Sequence, residues 1–201
     1  LPPVDRAGGQ VRAGLRHVWS HPVLRSTIAL VAVVGALGLN YRVALPLLAR
    51  FTFGGSASAY GALASIMAAG AVAGALAAAR RGRPSRTLLL GSVTVFGLLS
   101  FAAAAAPTLL VEALVLAPLG VASMTFLATA NSTLQLASSP GLRGRVMALY
   151  GLVFLGSTPL GGVLGGWMAG QFGPRSILVL SGVSSLAAAG LAALLTRHRW
   201  M

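Results

Sequence analysis

Cysteine is absent from the 201 residues, which excludes disulfide frameworks, thiolate metal sites and cysteine nucleophiles. Lysine is absent as well, and the acids are reduced to two, Asp5 and Glu112. A carboxylate pair, a carboxylate-rich metal site and a Ser–His–Asp triad therefore all lack parts. The three histidines, His17, His21 and His198, stand near the chain ends rather than within apolar segments, where an intramembrane hydrolase or lipid transferase would need them. His17 and His21 have the spacing of two helical metal ligands, but no acidic or sulfur partner accompanies them. The reading is of a protein that is not an enzyme and holds no metal and no cofactor. The chain opens Leu-Pro-Pro-Val-Asp-Arg, without an initiator Met or a charged-then-apolar leader, and is expected to be a piece of something longer.

Apolar length is present in abundance. With 56% hydrophobic and 8% charged residues, the chain is too greasy for a water-soluble domain of its size. The formal charge of +13 rests on fifteen arginines, which in a soluble protein would suggest nucleic acid. Here the arginines sit at the ends of apolar runs, where they act as topology signals and lipid-phosphate contacts, so no nucleic-acid partner is expected.

Four arginines fall within residues 80–86, between two runs that carry no charge and are each about long enough to cross a bilayer. Six such segments are predicted, at about 26–48, 59–79, 87–106, 109–136, 146–171 and 176–196, joined by short connections into an up-and-down helical bundle. Residues 1–25 read as a linker containing a basic amphipathic helix, with Val11, Leu15, Val18 and Trp19 on one side and Arg12 and Arg16 on the other. Alternate loops divide the arginines unevenly. Arg6, Arg12, Arg16, Arg25, Arg80, Arg81, Arg83, Arg86, Arg143, Arg145, Arg197 and Arg199 fall on one side, and Arg42, Arg50 and Arg175 on the other. That bias places both chain ends in the cytoplasm of a multi-pass plasma-membrane protein. Glycines four apart, Gly70 with Gly74 and Gly161 with Gly165, allow close helix approach in lipid.

The stretch 74–86 is echoed by 166–176 in its Gly, Pro and Arg positions, and both join the second and third helices of a three-helix set. Because three is odd, the copies face opposite sides, as in a 3+3 inverted-topology repeat. At these residues the chain resembles the C-terminal six-helix half of a major facilitator superfamily transporter, most like the bacterial efflux branch that includes the enterobactin exporter. The stretch Gly74-Ala-Leu-Ala-Ala-Ala-Arg80-Arg81-Gly82-Arg83 is similar to the superfamily loop motif Gly-x-Leu-Ala-Asp-Arg-x-Gly-Arg, with one residue inserted and Ala at the Asp position. Residues 139–148, which hold Arg143, Gly144 and Arg145, are similar to the loop between helices ten and eleven of that branch. The resemblance implies an all-α membrane fold, half of a twelve-helix transporter. It implies as partners the bilayer, a small-molecule substrate and a missing N-terminal half.

Polar residues within the spans are candidate path residues, since hydrocarbon penalises them unless they face the bundle interior. In the fourth segment Thr125, Thr129 and Ser132 share a face, with Gln135 at its shoulder and Asn131 further round. Helix-stapling by the same side chains accounts for them equally well. In the first segment Asn40, Tyr41 and Arg42 come in succession, and Arg42 is a candidate partner for Glu112 in a charge pair or proton-coupling site, with snorkelling of its guanidinium to the outer surface as the simpler account. Glu112 read alone is expected near the outer interface, with its carboxylate reaching headgroup water. The function expected is outward movement of small amphipathic or lipophilic molecules by alternating access, with proton antiport as the candidate coupling. A non-transporting membrane module and a half-size transporter acting as a homodimer are the alternatives.

Overall fold

The computed structural model describes the backbone over residues 10–195 and side chains from Leu15 onward. Asp5, Arg6, His198, Arg197, Arg199 and the side chains of Val11 and Arg12 lie outside the described residues. The helices are α1 (Gln10–Ser20), α2 (Pro22–Val33), α3 (Tyr41–Leu47), α4 (Ala57–Arg81), α5 (Arg86–Ala104), α6 (Leu109–Ala137), α7 (Arg143–Phe172) and α8 (Arg175–Leu195). Six stretches are long and apolar enough to cross a membrane, the first being Pro22–Thr52, which takes in both α2 and α3. This is an all-helical membrane bundle.

Local chemistry sets the helix ends. Ser85 accepts a hydrogen bond from the Leu88 N–H at 3.1 Å, and Thr108 accepts one from the Val111 N–H at 3.3 Å, so α5 and α6 both start at an N-cap hydroxyl. Gly82 and Gly173 end α4 and α7 with φ of 66° and 82°, a conformation open to glycine and costly for other residues. These are the two glycines at the matching ends of the sequence echo.

The first crossing is not one continuous helix. Residues Val34–Gly38 and Leu48–Thr52 form π-helical turns, and the chain breaks between them at Leu39 and Asn40. Such interruptions inside a membrane span expose backbone carbonyls for side-chain partners. Asn40 takes one of them, donating from Nδ2 to the Ala36 carbonyl at 2.7 Å.

Small residues bring the long helices together. Helix α4 crosses α6 where Gly70 and Gly74 lie against the backbone of Ala117 and Val121, and Gly120 lies against the backbone of Met67. Gly161 of α7 meets the first crossing in the same way, against the Ala36 carbonyl and the Asn40 side chain. A methyl group at any of these positions would overlap backbone atoms. In lipid such close approach supplies the dispersion contact that the hydrophobic effect supplies in water. Helix α5 lies antiparallel to α8 and also packs on α6. The linker helix α1 rests on the bundle through Val18, which is fully buried beside Leu24, Ile28, Leu134 and Val146, whereas Leu15 and Trp19 on the same expected stripe are exposed.

Candidate functional site

A buried polar cluster ties three crossings together. The Tyr41 hydroxyl at the start of α3 lies 2.8 Å from Ser100 Oγ of α5, and Ser100 Oγ lies 3.2 Å from Ser181 Oγ of α8. Ser181 donates to the carbonyl of Gly38 at 2.8 Å, next to the break in the first crossing. With one proton per hydroxyl, Tyr41 donates to Ser100 and Ser181 to Gly38, while Ser100 has two acceptors for its proton, Ser181 and the Phe96 carbonyl of its own helix at 2.8 Å. Phe96 closes the cluster from one side with an edge-on contact to Tyr41, ring centroids 5.9 Å apart. Ser185, a turn further along α8, is buried with its hydroxyl unpartnered.

Glu112 belongs to the same neighbourhood. It sits in the first turn of α6, where a carboxylate is favoured by the helix dipole, yet it has 0% exposure and neither oxygen has a hydrogen-bond partner. This corrects the expectation of an interfacial carboxylate in contact with headgroup water. The cation whose charge acts on Glu112 is Arg175, at the start of α8, and Glu112 in turn acts on Tyr41. Arg42, the candidate partner from the sequence, is exposed, which matches its reading as a side chain that reaches the surface. Among the described residues no carboxylate and cation approach within 4.0 Å, so neither Arg42 nor Arg175 forms a direct ion pair with Glu112.

Arg175 is engaged elsewhere. Its Nη2 donates to the Ala106 carbonyl at 2.6 Å just past the end of α5, while its buried Nε has no partner. At the opposite end of the same helix pair, Arg86 Nη2 donates to the Ala193 carbonyl of α8 at 2.7 Å. Each of the antiparallel helices thus begins with an arginine that caps the last turn of the other, satisfying carbonyls that a helix end leaves open.

The polar face of α6 is at the arginine-rich end. Thr125 donates to the Gly74 carbonyl across the α4–α6 contact at 3.4 Å, Thr129 to its own helix at the Thr125 carbonyl at 2.6 Å, and Gln135 bonds Asn131. Two hollows flank the 80–86 loop. One, of about 250 Å³, is lined by Thr129, Ser132, Gly82 and Arg83, and the other, of about 530 Å³, lies between α5 and α6 and includes Thr125 and Arg81. The structure therefore separates the sequence-derived path residues into two groups. Asn40 and Tyr41 are buried at the break in the first crossing, and Thr125, Thr129 and Ser132 border the hollows under the loop, with Gln135 exposed nearby. Of the loop-motif residues, Gly74 packs against α6, Gly82 ends α4, and Arg80, Arg81, Arg83, Arg143 and Gly144 are exposed, with Arg145 half-buried. Sequence reasoning missed Ser100, Ser181, Ser185, Arg86 and Arg175. A signal was present in the hydroxyls of α8, since Ser181, Ser184 and Ser185 at spacings of three and four share one buried face.

Among the described residues no three His, Cys, Asp or Glu side chains gather as metal ligands. A family model described as transmembrane secretion effector, within the major facilitator group, matches residues 2–200. The chain belongs to the transmembrane secretion effector family. Two curated proteins named multidrug resistance protein B homolog, from two strains of Mycobacterium tuberculosis, are 34% identical to this secretion-effector chain over 111 residues. The match covers 55% of the chain and 20% of each relative. No solved structure matches the chain. As a member of this family, with six stretches long and apolar enough to cross a membrane, the chain is a multi-pass membrane protein.

Proposed function

We propose that the chain is the C-terminal six-helix half of an exporter that moves small amphipathic or lipophilic molecules outward by alternating access. The observation that carries this is the uneven covering of the helices. Within their apolar windows α4 and α7 are only 17% buried, whereas the first crossing is 56% buried and α5, α6 and α8 are 39% to 44% buried. Exposed Leu152, Leu155, Leu160 and Val163 on α7, and Val72 and Leu76 on α4, give both helices a broad face that a second six-helix unit would cover. The multidrug relatives, five times the length of their matched part, support a longer whole protein and an efflux role.

The packing supports an inverted repeat of three plus three helices. Exchanging the two triplets carries the α4–α6 contact at Gly70 onto the contact of α7 with the first crossing at Gly161, and carries the Arg86 cap onto the Arg175 cap. In this reading both chain ends lie in the cytoplasm of a plasma-membrane protein, and the 139–148 loop supports the enterobactin-exporter-like branch. Thr129, Ser132 and Gln135 border the solute path at the cytoplasmic end, with Asn40 and Tyr41 deeper in the bundle. Glu112, buried without hydrogen-bond partners, is the proton carrier of an antiport cycle, since a carboxylate without partners is the group whose charge can change as the halves rock.

The test is transport in proteoliposomes. The full-length protein is expected to drive a lipophilic fluorescent dye against its gradient when a proton gradient is imposed, and the six-helix chain alone is expected to do nothing. Transport by the isolated chain, with self-association in detergent, would refute the half-transporter reading in favour of the homodimer.

A further inference from the structure

The 530 Å³ hollow between α5 and α6 has a shape that the transport reading does not require. Leu88, Gly91 and Val95 on α5 face Pro118, Ala122 and Thr125 on α6, each set following one helix face. Thr125 spends its hydroxyl on the Gly74 carbonyl, so the wall it presents is its methyl side. Glycine and alanine hollow the groove out: a methyl placed on Gly91 would meet nothing within 4 Å. Beside the groove Val95, Leu98 and Leu114 are 48%, 56% and 66% exposed, so it opens onto a surface made for hydrocarbon.

Its mouth has a different character. Arg81, Ser85 and Thr87 line the end next to the 80–86 loop, where Arg80 and Arg83 are also exposed. The guanidinium of Arg81 has no hydrogen-bond or ion-pair partner among the described residues, and no acidic side chain lines the hollow. From Ser85 to Val95 the groove follows α5 for roughly 15 Å at 1.5 Å per residue. That is about half of a hydrocarbon core of about 30 Å, the depth of a single leaflet.

We propose that this groove is a binding site for one anionic phospholipid of the arginine-side leaflet, an acyl chain lying between α5 and α6 and the phosphate resting on Arg81. Charge at the mouth, an apolar wall and one-leaflet depth select a lipid over a soluble anion, which would leave the wall unused, and over a zwitterionic lipid, whose choline would bring a second positive charge to a mouth lined by Arg81 and by no acid.

The test uses the full-length protein in nanodiscs of phosphatidylcholine containing a minority of phosphatidylglycerol, with retained lipid counted by native mass spectrometry. The wild type is expected to retain phosphatidylglycerol preferentially. Arg81→Gln is expected to lower that retention about fivefold, the effect of one cation near an anionic headgroup, and to leave phosphatidylcholine unchanged. Gly91→Leu, whose Cβ would meet nothing within 4 Å, fills the groove and is expected to lower retention of both lipids. Equal retention of the two lipids by the wild type, unchanged retention in both variants, or full displacement by inorganic phosphate would overturn the proposal. So would a Gly91→Leu protein that keeps its lipid but loses dye transport, because the groove would then belong to the solute.

Discussion

Arg86 at the start of α5 donates from its guanidinium to the carbonyl of Ala193 near the end of α8, at 2.7 Å. Arg175 repeats the contact at the other end of the pair, on the Ala106 carbonyl at 2.6 Å. Two antiparallel helices are therefore held at both ends by a cation from each, and the lateral hydrogen bonds replace part of what lipid cannot supply to open carbonyls.

Removing one of these caps has a definite cost. A hydrogen bond from a charged donor contributes about 1.5–3 kcal/mol when buried, and half-burial of both arginines reduces that to about 1 kcal/mol each. Arg86→Ala and Arg175→Ala are each expected to lower the thermal midpoint in detergent. Because the two contacts are separated by the length of α5, the double variant should lose the sum of the two effects, and a large departure from additivity would show that the ends communicate.

The glycine crossings give a sharper contrast. Gly70→Leu and Gly161→Leu force side chains into backbone carbonyls and are expected to destabilise by about 3 kcal/mol or more. Gly61→Leu and Gly156→Leu, on the same helices, enter open space and should leave folding yield near wild type. Fluorescence size exclusion of all four variants separates the outcomes, and equal behaviour of the four would remove close packing as the explanation.

In the hydroxyl chain, position decides the magnitude. Tyr41→Phe deletes the terminal donor and leaves Ser100 bonded to its own helix at the Phe96 carbonyl, so about 1 kcal/mol is expected to be lost. Ser100→Ala takes from the buried Tyr41 hydroxyl its 2.8 Å partner, leaving Ser181 as the neighbour it must turn to, and is expected to cost more, about 1–3 kcal/mol. Denaturation of both variants in the same detergent orders them, and the reverse order would break the chain as drawn.

Coupling is read from a pair of substitutions. Glu112→Gln is expected to abolish proton-driven dye accumulation while dye exchange across a vesicle without a proton gradient continues. Arg175→Gln, which removes the cation acting on Glu112, should alter the pH profile of transport, and Arg42→Gln should not. A profile that responds to Arg42 and ignores Arg175 would favour the candidate pairing of Arg42 with Glu112 instead.

Much of the architecture was legible in the chain because membranes reduce it to two signals, apolar length and arginine placement, and both are local. The close-packing roles of Gly70, Gly74 and Gly161 were likewise local, written in four-residue spacings. Other features depended on rotation about the helix axis, which depth along a span does not reveal. Tyr41 and Arg42 are neighbours in sequence, yet one is enclosed by α5 and α8 and the other is exposed. Glu112 stands one turn inside α6, as its position suggested, but its burial could not be read from α6 alone, and the cation that acts on it comes from α8, where Arg175 also bonds Ala106, 69 residues away along the chain. The break at Leu39 and Asn40 had no proline to announce it; the π-turn before it became visible only through the Asn40 and Ser181 bonds to its carbonyls.

That break divides the loyalties of the first crossing. Below it, α2 shares a cluster with Val18 of the linker helix and Val146 of α7, while above it α3 is fastened through Tyr41 to α5 and α8. The linker helix packs on α2 and α7, so a displacement arriving from it would press on those two helices first, and the seam at Leu39 and Asn40 would decide how much of it passed up the first crossing to Tyr41 and the hydroxyl chain.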